Sequence, residues 1–348
     1  MIVDDGAAGD EDAWDLGDED LEDLDVEDIE EEFEDSSENA ALPKEIRTWI
    51  KNSKTAGSYI AAGKFDVAAN MLNKQAGIKN FAPLKERYME VYTASKLSIS
   101  TFDEAGIEVG SAPVYAYDHD KFEQDQVVVP FVPGYDDLDN LLQEGFKLFK
   151  ANQLQSSIEI FRKIIYIVAT LSVSEDSEER CHAILNVCKN YILGLQIELA
   201  RRALPATEVK RNLELAAYFT HVELQPAHRL NALQVAMTQS FKAKNYHYAS
   251  YFAGEFLKIM STGTRAEQAK KIQAKADSIA TDAISIDFDP FAEWEICAGD
   301  FVPIYKGERV VREKFLGVGY KEAWKGKLCK VTLVSEIGAT GSGLRLVN

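Results

Sequence analysis

The sequence predicts a mainly α protein: an irregular solenoid of paired helices, with one β-hairpin insertion and a small β-rich domain at the carboxy-terminal end. Three observations carry this. Apolar residues recur at helical spacing over long stretches, one spacing of small and large residues appears three times, and two other regions exchange that period for β-branched runs or glycine punctuation. At about 150 residues per domain, 348 residues suffice for two domains and an extension.

The extension comes first. Residues 1–38 hold 20 of the 57 Asp and Glu and no Lys or Arg, so the formal charge of −19 belongs to this segment, and the rest balances 38 basic against 37 acidic groups. Mutual repulsion and sparse apolar residues leave too little burial to offset the entropy of ordering, so residues 1–42 are expected to form a disordered acidic linker. Trp14 and Leu16 make a candidate linear motif that would dock on a basic groove. Neither the acidic segment nor the balanced body offers the basic surface that nucleic acid requires. The longest apolar stretch, Ile164 to Val173, is about half of the roughly 20 residues a membrane span needs. The amino terminus lacks the layout of a secretion signal, and four cysteines without a Cys-x-x-Cys pair read as reduced, buried thiols, which points to a cytosolic setting.

Helical patterning begins near Pro43, a residue suited to a first turn because its missing N–H would be unpaired there. Ala56, Tyr59, Phe65, Ala68 and Leu72 surround Gly63 at the spacing of a helix, a tight turn and a second helix. Gly145, Leu148, Leu154, Ser157 and Phe161 repeat it around Asn152, and Met237, Ser240, Tyr246, Ala249 and Ala253 repeat it less faithfully. Small residues let two helices approach while large ones fill the flanks, which is the spacing of tetratricopeptide-like (TPR-like) hairpins. The copies begin at residues 56, 145 and 237, far wider than the period of about 34 residues in a regular array. Between them, Cys181 to Leu199 makes one helical stripe that stops before Pro205, which can open the next helix; further helices are expected after Pro226 and from about Thr264 to Ala283. The expected divisions are a helical segment at 43–135, a TPR-like domain at 136–284 and a β-rich domain at 285–348.

The hairpin is expected at about 111–133. Val114, Tyr115 and Tyr117 precede the turn-like Asp118-His119-Asp120-Lys121, and Val127, Val128, Val129 and Phe131 follow it. In the carboxy-terminal domain, seven glycines from Gly307 to Gly343 punctuate short apolar runs such as Phe301 to Tyr305 and Leu328 to Val334.

Catalytic and metal chemistry find little support. The five histidines are scattered, Cys181 and Cys188 sit two turns apart on one helix face, and Cys297 and Cys329, even if they meet across a sheet, cannot close a four-ligand zinc site. Gly338 to Gly343 lacks the following helix that a phosphate loop needs and reads as a turn between strands. No nucleophile grouping or acid/base pair assembles, so no catalytic residue, metal ligand or cofactor is assigned, and the expected protein is not an enzyme.

The carboxy-terminal run Asp289-Pro-Phe-Ala-Glu-Trp-Glu-Ile-Cys-Ala298, with Pro303-Ile-Tyr-Lys-Gly307, Lys325-Gly-Lys-Leu-Cys-Lys-Val331, Glu336-Ile-Gly338 and Gly343-Leu-Arg345, resembles the carboxy-terminal domain of coatomer alpha subunits of the COPI vesicle coat. Ala216-Ala-Tyr-Phe-Thr-His221 with Leu224-Gln-Pro226 resembles its helical part, and Trp14-Asp-Leu16 the linker before it, so the resemblance covers nearly the whole chain. It implies a non-enzymatic scaffold that pairs with the coatomer epsilon subunit, itself a TPR protein, and works beside other coatomer subunits in Golgi-to-ER and intra-Golgi transport. The location implied is cytoplasmic, peripheral on Golgi membranes and COPI vesicles, with membrane contact only through coat assembly. The family's cargo-reading propellers are missing from this sequence, so it is not expected to recognise cargo. Glu313 and Gly319 stand where some family members carry extra cysteines, which weakens a zinc site further. Family members are thought to insert a hairpin into the epsilon subunit; on the placement above, Val114, Tyr115, Tyr117, Val127, Val129 and Phe131 would supply the apolar contacts. The alternative from pattern alone is a TPR-type adaptor holding short peptides in a concave groove.

Overall fold

In a computed structural model, residues 41–279 and 281–348 are described; Trp14, Leu16 and nearly all of the acidic linker lie outside them. The described residues are mainly helical, with twelve α-helices and three sheets of two strands each. No described helix is long and apolar enough to cross a membrane.

The first helices form where the pattern places them. Helix α1 (Lys44–Asn52) follows Pro43 and buries Ile46, Trp49 and Ile50. Helix α2 (Ala56–Ala62) is capped by the Thr55 hydroxyl, which accepts from the Ser58 amide, and ends at Gly63, whose φ of +80° is easily reached only without a Cβ. Helix α3 (Phe65–Ala76) returns beside it and ends on a second left-handed glycine, Gly77. Helix α4 (Lys85–Ala94) then leads into two long strands, β1 (Lys96–Phe102) and β2 (Glu108–Tyr115).

Helices α6 (Leu138–Lys150) and α7 (Leu154–Ala169) form the next pair, after the short α5 (His119–Asp125). Asn152 makes their turn at φ +62°, and the Ser157 hydroxyl donates to the Gly145 carbonyl at 2.9 Å. A Cβ on Gly145 would stand 2.8 Å from the Phe161 ring, so the small residue at that position sets how closely the helices approach. Helix α8 (Glu175–Arg202) carries the long stripe, and α9 (Val209–His221) follows. Pro205 lies in the connection rather than in the first turn of α9, because three residues lie between it and Val209. Helices α10 (Pro226–Lys242) and α11 (Tyr246–Ile259) form the third pair; Lys244 turns at φ +59° and Asn245 accepts from the Tyr248 amide at 3.0 Å. Although Met237 and Ala253 depart from the spacing in size, both are fully packed. The last helix, α12 (Thr264–Asp277), is shorter than expected and ends at Ser278.

The carboxy-terminal lobe holds two short antiparallel pairs, β3 (Trp294–Ile296) with β4 (Pro303–Tyr305) and β5 (Val310–Arg312) with β6 (Gly319–Lys321). The apolar run Leu328 to Val334, read as part of a β-rich domain, is a tight turn, with Leu333 at φ +61° and the Leu333 amide donating to the Cys329 carbonyl. Helices claim its carbonyls: Arg162 donates to those of Lys330 and Val331, Tyr166 to that of Thr332 and Gln196 to that of Lys330. Gly338 to Gly343 does not join two strands either. It runs against the end of α3, where the Ser342 and Gly343 amides donate to the Lys74 and Gln75 carbonyls. Such carbonyls at a helix end have no partner within the helix, which is why a glycine-rich segment with free amides fits there. Asn348 then reaches Thr55, Ser58 and Ser172, and Leu346 is wholly buried. One core thus runs without a break from Ile46 through the helices to Leu346.

Candidate interaction site

The expected hairpin at 111–133 forms elsewhere. Strand β2 pairs with β1, Leu97 opposite Val114 and Ile99 opposite Ala112, so the ribbon covers 96–115. Asp118 is not a hairpin turn residue but the N-cap of α5, its carboxylate accepting from the Lys121 amide at 3.0 Å. The same short polar residues serve both purposes, and here the helix wins. One bridge, Tyr117 to Pro130, survives from the expected pairing, supported by the Asp118 amide on the Val129 carbonyl and the Phe131 amide on the Ala116 carbonyl.

Asp103 builds the turn of the ribbon: its side chain accepts from the Ala105 and Ile107 amides, both at 2.9 Å, and its own amide donates to the Ile107 carbonyl. Gly106 turns at φ +75°. Cross-strand partners share a face, so Leu97, Ile99, Ala112 and Val114 form one apolar stripe, while Ser98, Ser100, Ser111 and Pro113 line the other side. Pro113 is tolerated because a two-stranded ribbon consists only of edges. A register shift at Thr101/Phe102 lies beside Phe102, Ile107 and Val109 near the tip.

The root of the ribbon is anchored. Tyr115 meets Trp49 edge to face at 5.8 Å, the Ala116 amide donates to the Ser95 carbonyl, the Ser95 hydroxyl donates to the Ala61 carbonyl, and the Lys96 ammonium sits 3.9 Å from the Tyr92 ring centroid. Beyond the root nothing among the described residues covers it: Leu97, Ile99, Phe102, Ile107 and Val109 are 55–64 % exposed. An isolated two-stranded hairpin is barely stable in water, and a bare apolar ribbon with free edges invites association.

The six expected contact residues divide three ways. Val114 and Tyr115 lie on the ribbon and are half-buried. Tyr117 and Phe131 are exposed near its base, Tyr117 meeting Phe122 of α5 at 5.7 Å. Val129 is 1 % exposed and part of the body's packing, with Val127 half-buried on the same segment. The ribbon's five exposed apolar positions were absent from that set. Their signal is in the sequence: Leu97-Ser-Ile-Ser-Thr-Phe102 alternates with period two, and Asp103-Glu-Ala-Gly106 is a turn.

A second concavity, about 420 Å³, opens between the α6–α7 turn, α8 and α10, with Phe149, Leu154, Phe219 and Val235 beside Glu198 and Arg202. Its Glu198 and Arg202 are already matched to each other. Burial pushes the Glu198 carboxyl up, but hydrogen bonds from Arg201 and Arg202 at 2.7–2.8 Å outweigh this and hold it below the ordinary range. Nearby, the Tyr191 hydroxyl accepts from the Gln225 amide and shares a hydrogen bond with His228 Nδ1 at 2.6 Å; burial and the charge of Lys150 keep that imidazole neutral, its pKa held down at about 4.

The cysteines are packing groups. Burial pushes the Cys181 thiol up to about 11 and Cys188 higher still. In the lobe, Cys297 Sγ accepts from the Lys321 amide and Cys329 Sγ from the Thr332 amide. Glu313 is buried, accepting from Ser335 and from the Phe315 and Leu316 amides, and a Cβ on Gly319 would collide with the Glu295 carboxylate at 2.5 Å. Among the described residues no group of three or more His, Cys, Asp or Glu is placed to hold a metal ion.

The helical body thus presents a ribbon whose apolar side no described residue covers. The family described as the C-terminus of the coatomer (COPI) alpha subunit matches residues 2–348, and the chain belongs to that family. It is 47 % identical over 347 residues to "Coatomer subunit alpha" of Saccharomyces cerevisiae, covering 99 % of this chain and 28 % of that protein. It is 35 % identical over 309 residues to "Putative coatomer subunit alpha" of Schizosaccharomyces pombe and 31 % over 315 residues to "Coatomer subunit alpha" of Dictyostelium discoideum, each covering 25 % of the relative. The chain therefore spans about a quarter of the length of these relatives.

Proposed function

We propose that this chain is a non-enzymatic scaffold of the COPI coat that holds the coatomer epsilon subunit by its β1–β2 ribbon, supporting Golgi-to-ER and intra-Golgi vesicle transport. It acts from the cytoplasm beside other coatomer subunits and meets Golgi membranes only through the assembled coat. The exposed apolar ribbon carries this reading. A curved TPR partner closes around something narrow, and a ribbon with two faces and an anchored root suits it. Leu97 and Ile99 would lie against the partner's inner wall, with Phe102, Ile107 and Val109 at the far end. Val114, Tyr115, Tyr117 and Phe131 would meet its rim, with Val127 and Val129 supporting the base from within. The helix pairs of the body fit an irregular TPR-like solenoid, built at residues 56–76, 138–169 and 226–259.

The test is to mix the chain with purified epsilon subunit and measure the complex mass by light scattering. A 1:1 complex that persists at high salt is expected, because apolar burial is not screened. Leu97→Ser with Ile99→Ser should weaken it on the order of a hundredfold while the melting temperature stays unchanged. Full affinity in that double variant would refute the ribbon's role. The 420 Å³ groove supports the second reading, a peptide adaptor; binding that is abolished by Phe149→Ala and by salt, with the ribbon intact, would favour it.

A further inference from the structure

The carboxy-terminal lobe carries an unbalanced charge that ribbon binding leaves unused. Residues 306–330 contain eight Lys or Arg and three Glu. Of these carboxylates, Glu313 is buried in its own hydrogen bonds and Glu322 pairs with Arg309 at 2.8 Å. Neighbouring acids are also engaged, Glu295 with Arg312 at 2.7 Å and Glu336 with Lys79 at 2.9 Å. Lys314, Lys321, Lys325 and Lys327 form no ion pair among the described residues. Geometry gathers them. The Lys325 side chain lies 3.0 Å from the Cβ position of Gly338, and Lys314 Cβ 3.4 Å from that of Gly341, so the two flank one short stretch. Lys327 and Lys330 place their ammonium groups 4.7 and 4.2 Å from the Trp324 ring centroid, and that indole lies flat on Gly299, where any Cβ would strike it.

We infer that this lysine face is the docking surface for the chain's own acidic segment, residues 1–38. The segment is its charge complement, with 20 carboxylates and no basic residue. Its attachment point also suits. Just after α1, the Lys54 amide and Thr55 hydroxyl donate to Asn348 of the lobe, and Lys79 and Asn80 donate to the Val334 carbonyl. The 26 residues between Trp14 and Ala41 would give a chain reach of about 30 Å. That exceeds the ~19 Å radius of gyration expected for a compact body of this length. The face is then the basic groove anticipated for Trp14, supplied in the same chain. Docking would hold the segment against the lobe at low ionic strength and release it to a stronger cationic partner.

The test uses the full chain as a mixture of ¹⁵N-labelled and unlabelled protein, treated with a carbodiimide that joins carboxylates to lysines at contact distance. Within single chains, linkages from residues 1–38 to Lys314, Lys325 and Lys327 should exceed those to the exposed Lys147 and Lys258 several-fold. They should fade as salt shortens the screening length from about 10 Å at 0.1 M to about 3 Å at 1 M. Lys314→Glu, Lys325→Glu and Lys327→Glu together should also abolish linkages to the neighbouring Lys321 and Lys330, which keep their amines, with an unchanged melting temperature, since all three substituted side chains are exposed. Linkages spread evenly over exposed lysines, persisting in the triple variant, or found only between differently labelled copies would overturn the inference. So would sedimentation of the chain with phosphatidylserine vesicles at 0.15 M salt that the triple variant loses, which would assign the face to a lipid surface.

Discussion

The β1–β2 ribbon and the β3–β4 pair are both two-stranded antiparallel sheets, yet Ile99 in the first is 57 % exposed and Ile304 in the second 2 %. The ribbon has strands of seven and eight residues held by a ladder that shifts register only at Thr101/Phe102, with its apolar side facing outward. The lobe's strands are three residues long, too short to hold themselves, and helices supply what the ladders lack. His221 stacks on Trp294 at 3.9 Å, the Tyr218 hydroxyl donates to the Asp287 carbonyl, and Arg162 and Tyr166 bind the 330–332 turn. Strand content therefore says little about purpose in this chain. What separates the two sheets is whether the described residues cover the apolar face.

That contrast can be broken from either side. The largest effect should come from the covered side: Leu346→Ala, at a fully buried position joining the lobe to the helices, should cost about 2–5 kcal/mol in urea unfolding. A mild result would mean that the lobe's end is not part of the shared core. Lowering the pH should act on the helical body through His228. Its folded pKa, about 4, lies below the ordinary 6.5, so the unfolded chain takes up the proton first. The stability this contributes is complete above about pH 6.5 and lost as pH falls through about 4, by up to roughly 3 kcal/mol. His228→Phe should flatten that part of the pH profile. Gly57→Ala places a Cβ 2.1 Å from the Thr170 carbonyl oxygen where α2 meets the end of α7, and should cost about 1–3 kcal/mol by calorimetry. The smallest change in stability should come from the ribbon, where Ile99→Ser should stay within about 0.5 kcal/mol of the parent. A large loss there would show that the ribbon supports the fold rather than a partner.

The helices were legible because burial on one side imposes a period that the Cys181 to Leu199 stripe and the Gly145 to Phe161 spacing display openly. The helix expected after Pro226 begins at Pro226 itself. The ribbon was misplaced for a physical reason: Val127 to Val129 is rich in β-branched residues because it packs against the body, with the Asn52 amide donating to the Val128 carbonyl, not because it pairs in a sheet. Leu97 and Ile99 sit among serines and threonines, where a short alternation is easily overlooked beside a richer apolar run. In the lobe, glycine spacing revealed the turns, but the partners of the Lys330, Val331 and Thr332 carbonyls lie on helices more than a hundred residues away, and no local pattern encodes them.

The hydrogen bonds of Asn348 to Ser58 and Ser172 join residues 290 and 176 positions apart. At about 5–20 residues per second, synthesis brings Asn348 into being some 15–60 seconds after Ser58. For about the last 9–35 seconds of that interval both the start of α2 and the end of α7 have been synthesised without the segment that closes over them, so the amino-terminal half of this domain depends on Asn348 and its neighbours for completion as well as for strength.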